Sequence, residues 1–322
     1  MANKTVTVMP SGGTYTTLSG AIAGELVANA NLVTMAGILT ISIEGDWSGG
    51  ADTTTVDVNG FTTSAAYYIN IITNAANRAK ASGWDATRYA LSVTNDTAIQ
   101  LRDDYIRIDG LQISTPAIDA NTDSVVYVTG QVATNNYIRV SNCRLQGAGS
   151  GAVRQYVVYP TDTDMICDIF NCIVTNAAYT NSALIRPAGA AVNVYNCTCY
   201  GGYYGIYKGG GVLNIYDSAV LNNTDDFGGT PDVIDYCASD DGDGTNAVAE
   251  DGGGADWTGD FTDGSGGNWT LLSTSNLVGA GGRAGAGVFS VDIDGTTRGA
   301  AWDVGAHEYV PSGEDIYMFM ST

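Results

Sequence analysis

One pattern constrains this chain more than any other: a two-residue alternation that slips by one at a fixed polar residue. It appears in Ile106-Arg107-Ile108-Asp109-Gly110-Leu111, Ile138-Arg139-Val140-Ser141-Asn142-Cys143 and Cys167-Asp168-Ile169-Phe170-Asn171-Cys172. It returns in Val192-Asn193-Val194-Tyr195-Asn196-Cys197 and Leu213-Asn214-Ile215-Tyr216-Asp217-Ser218, and a degraded copy ends at Tyr236-Cys237. Two apolar residues sit two apart, then a Gly, Asn or Asp precedes the last position. A further apolar residue follows two places on: Ile113, Leu145, Val174, Cys199 or Val220. In a flat strand this slip would throw half the side chains to the wrong face. In a coil that bends between two short strands it keeps both halves inside. The units end at 111, 143, 172, 197, 218 and 237, so the step shortens from 32 to 19 residues. A period in the twenties with variable insertions is the mark of a solenoid.

The bend gives its polar residues a role. Gly110, Asn142, Asn171, Asn196 and Asp217 are expected at equivalent corners, with the amides bonding one another and turn backbone. Cys143, Cys172 and Cys197 should stack beside them as small buried hydrophobes. A disulfide between neighbouring coils is sterically accessible. Burial of free thiols already accounts for the positions.

The ends of a solenoid expose core and need caps. Leu18, Ile22 and Leu26 recur every four residues and predict a short amphipathic helix that covers the first coil. The expected organisation is one domain over 1–322. A strand-and-helix cap spans 1–30, coils 31–222, a Gly/Asp-rich loop excursion 223–270, a closing coil 271–310 and a polar tail 311–322. Trp257, Phe261 and Trp269 are expected to pin the excursion to the solenoid or cover its open end.

Composition agrees with sheets and turns. Apolar residues make up 44%, charged residues 15%, and there are 42 glycines without a three-residue period. The formal charge of -21 argues against nucleic acid and against an anionic membrane surface. No stretch has the length of a membrane-spanning helix, and Met1–Pro10 has no apolar signal-peptide core, so neither is expected.

These features resemble the pectin-lyase-like superfamily. Val6-Thr7-Val8 through Tyr15-Thr16-Thr17-Leu18 looks like the cap strand and helix of many members. Val291-Asp292-Ile293-Asp294-Gly295-Thr296-Thr297-Arg298, then Asp303-Val304-Gly305-Ala306-His307-Glu308-Tyr309, is similar to the terminal coil of secreted and phage-encoded members. The resemblance covers nearly the whole chain. It implies an all-β fold, a single-stranded right-handed parallel β-helix with a short N-terminal capping helix. It says little of activity, because this fold carries lyases, hydrolases, adhesins and tailspikes.

A calcium-dependent lyase needs clustered carboxylates and a basic residue; Arg154, Arg186 and Lys208 lack such a cluster in sequence. A glycosidase needs two carboxyl groups about 5 to 9.5 Å apart. Asp162, Asp164 and Asp168 form one acidic group, and Asp225, Asp226, Asp232 and Asp235 another, yet turn capping explains both. Asp241, Asp243 and Glu250 fit part of a calcium-loop register, with Ser239 in place of the first acid. They are the metal candidates; no other cofactor is expected. His307, the single histidine, reads as a structural hydrogen-bonder, and Asp292–Gly295 as a turn held by Arg298. Tyr195, Tyr203, Tyr204, Tyr207 and Tyr216 crowd two successive coils and could form a surface strip for glycan or partner protein.

No catalytic set is expected. The expectation is a structural virion surface protein of a phage: a capsid decoration, spike or fibre module. Its partners would be itself, as a homotrimer, other capsid proteins, or a cell-surface glycan. The alternatives are a polysaccharide-degrading enzyme and a bacterial surface adhesin, which would be extracellular.

Overall fold

The computed structural model describes residues 3–119, 123–130, 136–149, 153–249 and 257–311. Among these, three all-parallel sheets of nine, seven and seven strands run along the molecule. The first sheet begins at Lys4–Val8 and ends at Val233–Asp235; the second runs from Ala90–Ser92 to Ala238–Ser239; the third from Val56–Val58 to Asp225–Gly228. The chain visits the sheets in rotation. One full coil is Ile106–Asp109, Gln112–Ser114 and Ser124–Val128, and Asn136–Ser141 then pairs with Ile106–Asp109 one rung on. This is a right-handed parallel β-helix, the usual hand for parallel crossovers.

The interior follows the alternation. Ile106, Ile138, Cys167, Val192 and Leu213 are one register column, and Ile108, Val140, Ile169, Val194 and Ile215 the next, all fully buried. Beyond the bend, Ile113, Leu145, Val174, Cys199 and Val220 form a third column. The slip between them is one residue in the left-handed region: φ is 84° at Gly110, 52° at Asn142, 51° at Asn171, 45° at Asn196 and 51° at Asp217. Asn and Asp tolerate this conformation better than other chiral residues. Each corner N–H donates to the carbonyl one coil along, as in Asn142 N to Phe170 O and Asn171 N to Tyr195 O.

The corner side chains are only partly a ladder. Asn171 Nδ2 donates to Asn142 Oδ1 at 3.1 Å, and Asn142 Nδ2 to Asp109 Oδ1 at 2.6 Å. Asn196 instead donates to Asp303 O at 2.8 Å. Next to them Cys143, Cys172 and Cys197 are buried, and all six cysteines are free thiols. Burial pushes the Cys143 and Cys172 thiols well above their ordinary value.

The cap is a helix at Leu18–Asn29, begun by Thr17, whose hydroxyl accepts from Gly20 N. Leu18, Ala21 and Ile22 join the same apolar core as the first coils. A second short helix, Leu32–Met35, follows it. Glu25 is buried beneath the cap and satisfied by Lys4 at 2.8 Å, Tyr15 and Asn29.

Two boundaries differ from expectation. The coils do not stop at 222: Asp225–Gly228, Val233–Asp235 and Ala238–Ser239 each add a rung, and bridges reach Thr245 and Val248. Nor is 271–310 a closing coil. It joins none of the three sheets and runs back along the outside of the corner column. Trp257, Phe261, Trp269, Leu271 and Leu277 pack against Ile173, Ala219, Leu221 and Ala238, which point outward from the second sheet. The aromatic residues therefore pin the excursion to the side of the solenoid. The physical reason is that the last rungs of the second sheet are apolar on both faces, and the outer one must be covered.

Replacing Asn171 by Ala should lower unfolding free energy by about 2 kcal/mol or more, from left-handed strain and lost amide bonds. Asn171→Gly, which keeps the backbone conformation, should lose distinctly less. Denaturant melts of both variants measure this; equal losses would show that the left-handed corner costs nothing.

Candidate functional site

The outer face of the second sheet changes character along the axis. Register aligns Ser92, Ser114, Gln146, Thr175 and Tyr200 in one outward row before the apolar Leu221. Ser114 Oγ donates to Ser92 Oγ at 3.0 Å. This row floors two adjoining cavities of about 500 and 390 Å³. Trp84 and Gln146 border both, so the two form one groove. The loop 48–51 closes one end and the glycine turn 264–267 the other. Trp269 lies under that turn, 4.7 Å from the Tyr200 ring. Among the described residues no carboxylate lines either cavity. Arg144 ties the groove's walls, donating from Nη1 to Lys80 O at 3.2 Å and from Nη2 to Gly267 O at 2.5 Å. Burial lowers its pKa to about 10.

Sequence reasoning did not single out this groove. Trp84 lies in an insertion with no periodic signal, and the end wall, the turn of an antiparallel hairpin of Phe261–Asp263 and Asn268–Leu271, comes from more than a hundred residues away. The outward row itself could be read from the register, since it holds the residues that follow Ile113, Leu145, Val174 and Cys199.

The C-terminal segment is a strap over the corner column. Asn171 Nδ2 donates to Val291 O, and Asp217 accepts from Gly282 N and Ala284 N. The buried Arg298 donates to Asn171 Oδ1 at 2.9 Å, Gly305 O at 3.0 Å and Glu308 Oε2 at 3.0 Å. The expected Arg298 contact to the Asp292–Gly295 turn is thus corrected: its ion pair is with Glu308, and the turn closes on itself through Asp292 N to Thr296 O and Thr296 N to Asp292 Oδ1.

Asp292, Asp294 and His307 meet here, with their ligand-type atoms within 4.8 Å of one another. Their lone pairs are committed to the main chain and to cations. Asp292 accepts from Thr296 N and Glu308 N, and Asp294 Oδ1 accepts from Ala81 N beside Lys80. His307 Nδ1 accepts from Leu271 N at 3.3 Å. The ring proton then sits on Nε2, facing Asp294 Oδ2 at 3.8 Å, whereas a metal-ligating His normally donates from its other nitrogen. The trio fits a clasp for the strap better than a metal site.

The tyrosines divide between two faces. Tyr195 and Tyr216 stack on the first sheet with centroids 5.4 Å apart, and Phe289 of the strap packs against Tyr195. Tyr204 and Tyr207 lie on the third sheet with Tyr127, Tyr156, Tyr159 and Arg186, and Tyr203 sits at the bend just before it, against Tyr204. The single strip expected from sequence is therefore two patches, because strands of successive sheets face different directions.

The remaining candidates are dispersed. Asp168 binds Tyr137 and Asn193, and Asp162 closes a turn onto Asp164 N. Lys208 pairs with Asp232 at 2.7 Å. Arg154 lies over Tyr156. Asp241 is exposed, and Asp243 N donates to Ser239 Oγ, an Asp-Gly turn; Glu250 lies outside the described residues. Asp226 occupies the interior position that Val157 and Leu184 hold in earlier coils. Burial raises its pKa to about 7, although Asn223 Nδ2 and Asp240 N both donate to it.

These features define a β-helix protein with a lateral groove and a strapped corner. No family profile matches the sequence, and no curated protein matches it. Among solved structures, the crystal structure of pectate lyase Pel9A is similar at 15% identity, with a TM-score of 0.32, over 96% of this chain and 97% of that one.

Burial also raises Asp303, to about 6. Asp226 and Asp303 thus hold protons more tightly folded than unfolded, so their contribution to stability is full below about pH 4 and is lost as pH rises through 6 and 7. Asp46, Asp85 and Asp232 shift downward but are solvated and oppose this weakly, and His307, whose pKa burial lowers, opposes it between about pH 6 and 7. Thermal melts at pH 5 and pH 8 check the sign; a midpoint that rises toward pH 8 would contradict it. Asp226→Asn should flatten the decline.

Proposed function

We propose that this chain is a structural surface module that binds a neutral glycan along the groove of the second sheet and performs no chemistry on it. The observation that carries the proposal is the outward row Ser92, Ser114, Gln146, Thr175 and Tyr200 beside Trp84. Hydroxyls and an amide, repeated at about the 4.8 Å coil spacing, suit the hydroxyls of a sugar chain. An indole at the rim supplies an apolar face for a sugar ring. A glycosidase would need paired carboxyl groups in the groove, and the lining residues supply none. The narrower form of the proposal places the module on a phage particle, as a capsid decoration, spike or fibre that self-associates as a trimer or sits on other capsid proteins. A stiff rod whose lateral strands are all paired suits such a surface.

A neutral oligosaccharide panel on the purified protein tests the reading. At least one member should bind, Gln146→Ala and Trp84→Ala should each weaken it about tenfold, and no reducing ends or unsaturated products should appear. Product release, or affinities untouched by both substitutions, would overturn it. Light scattering reads the trimer separately.

A further inference from the structure

The third sheet carries a second row that the groove does not use. Register pairs Tyr127 with Tyr159 on its outer face, and Arg186 and Tyr207, each one residue past the paired Ile185 and Ile206, continue the row, one per coil. Tyr156 and Tyr204 lie beside them on the same strands, with ring centroids 4.7 Å from Tyr159 and 4.6 Å from Tyr207. Tyr127 stacks on Tyr159 at 5.6 Å. The Arg186 guanidinium is seated among these rings, with Cζ 4.5 Å from the centroid of Tyr156, 5.5 Å from Tyr159 and 5.7 Å from Tyr207. Two glycines clear the space. A Cβ at Gly209 would fall 2.8 Å from Arg186 Cζ, and one at Gly228 would fall 2.6 Å from the Tyr207 ring.

Arg186 shares with Arg107 and Arg139 a seat over aromatic rings, and it touches three of them. Nη1 donates to Tyr159 Oη at 3.2 Å, and among the described residues no carboxylate lies within ion-pairing distance. In a chain of net charge -21, a guanidinium held by rings and not by an acid is a prepared receptor for an incoming anion. We propose that this face is a second binding site, separate from the groove, for a glycan that carries a single anionic group next to neutral sugar rings. Arg186 would take the carboxylate or sulfate in its free fork, and Tyr159 and Tyr207 would stack on the adjoining rings.

The rest of the surface narrows the ligand. A polyanion would bring many charges against the field of -21 for the few guanidinium groups of this patch, so an isolated anion is favoured over a polyuronate. A peptide would need main-chain partners. The backbone of these strands is already paired on both sides, which leaves ring faces and guanidinium groups, Arg186 among three rings and Arg154 over Tyr156.

Titration with 3′-sialyllactose, lactose and polygalacturonate tests the proposal on the intact chain. Sialyllactose should bind at least about tenfold tighter than lactose, the scale of a charge-assisted hydrogen bond, and polygalacturonate should not compete. Arg186→Gln should reduce sialyllactose to the level of lactose, and Arg186→Lys, which keeps the charge and loses the fork, should fall between. Gln146→Ala should leave sialyllactose binding unchanged, which separates this site from the groove. Equal binding of sialyllactose and lactose by the wild-type chain overturns the proposal without any variant. Loss of sialyllactose binding in Gln146→Ala, or capture of an acidic peptide in preference to the sugar, also overturns it.

Discussion

A single left-handed residue per coil decides the architecture. At Asn142, Asn171 and Asn196 the backbone turns with positive φ, and the parity of every following side chain is reset. Without that turn, Leu145, Val174 and Cys199 would face solvent and the second sheet would have no inner column. The turn also exposes carbonyl and amide groups on the outside of the bend. The corner N–H groups pair with the next coil, Gly305 N of the strap donates to Asp217 O, and the corner side chains turn outward to the strap backbone. Val291 O, Asp303 O and the N–H groups of Gly282 and Ala284 each meet a corner side chain. The corner thus specifies the coil and also supplies the docking line for the C-terminal segment. Arg298 locks the two together, since its fork is shared between Asn171, Glu308 and the strap backbone.

How far this could be read in advance follows from the range of each interaction. The alternation, the corner residues and the thiols beside them are local, and their spacing within a coil survives every insertion. Cys143, Cys172 and Cys197 fall one residue past the corner in three successive coils. The strap was not legible. Its contacts join residues such as Asn171 and Arg298, 127 positions apart, and they leave no period in the chain. The Asp292–Arg298 motif could be noticed as a terminal feature, but its position against the side of the helix could not. The tyrosines failed for a different reason. Tyr195 and Tyr204 are close in sequence, yet they fall on different sheets, and sequence distance alone does not show where the third sheet begins.

The acidic composition also acquires a structural meaning. Asp52 accepts from Leu18 N, Asp103 from Gly60 N and Phe61 N, Asp217 from Gly282 N and Ala284 N, and Asp303 from Gly279 N and Tyr309 N. These carboxylates complete backbone groups at turns that sheets leave unpaired. The abundance of Asp is therefore a consequence of the loops, and chance pairs of acids carry little catalytic information. Asp226 is the extreme case: it has replaced an apolar interior side chain in the last complete coil and is kept there by Asn223 and the Asp240 amide.

That division of labour shapes the outer faces. Where the coils need no covering, the second sheet keeps hydroxyls and an amide outside, and where its outer residues turn apolar, the Trp257–Leu277 segment closes over them. The groove exists at the junction: its floor is the last polar part of the row, and its end wall is the hairpin attracted by the apolar part. Extending the polar row by one coil, with a polar residue at Leu221, would remove part of the surface that Trp269 and Leu271 bury and so weaken the wall as well as lengthen the floor. The groove's length and its closure are accordingly set by the same side chains, and neither can be changed independently of the other.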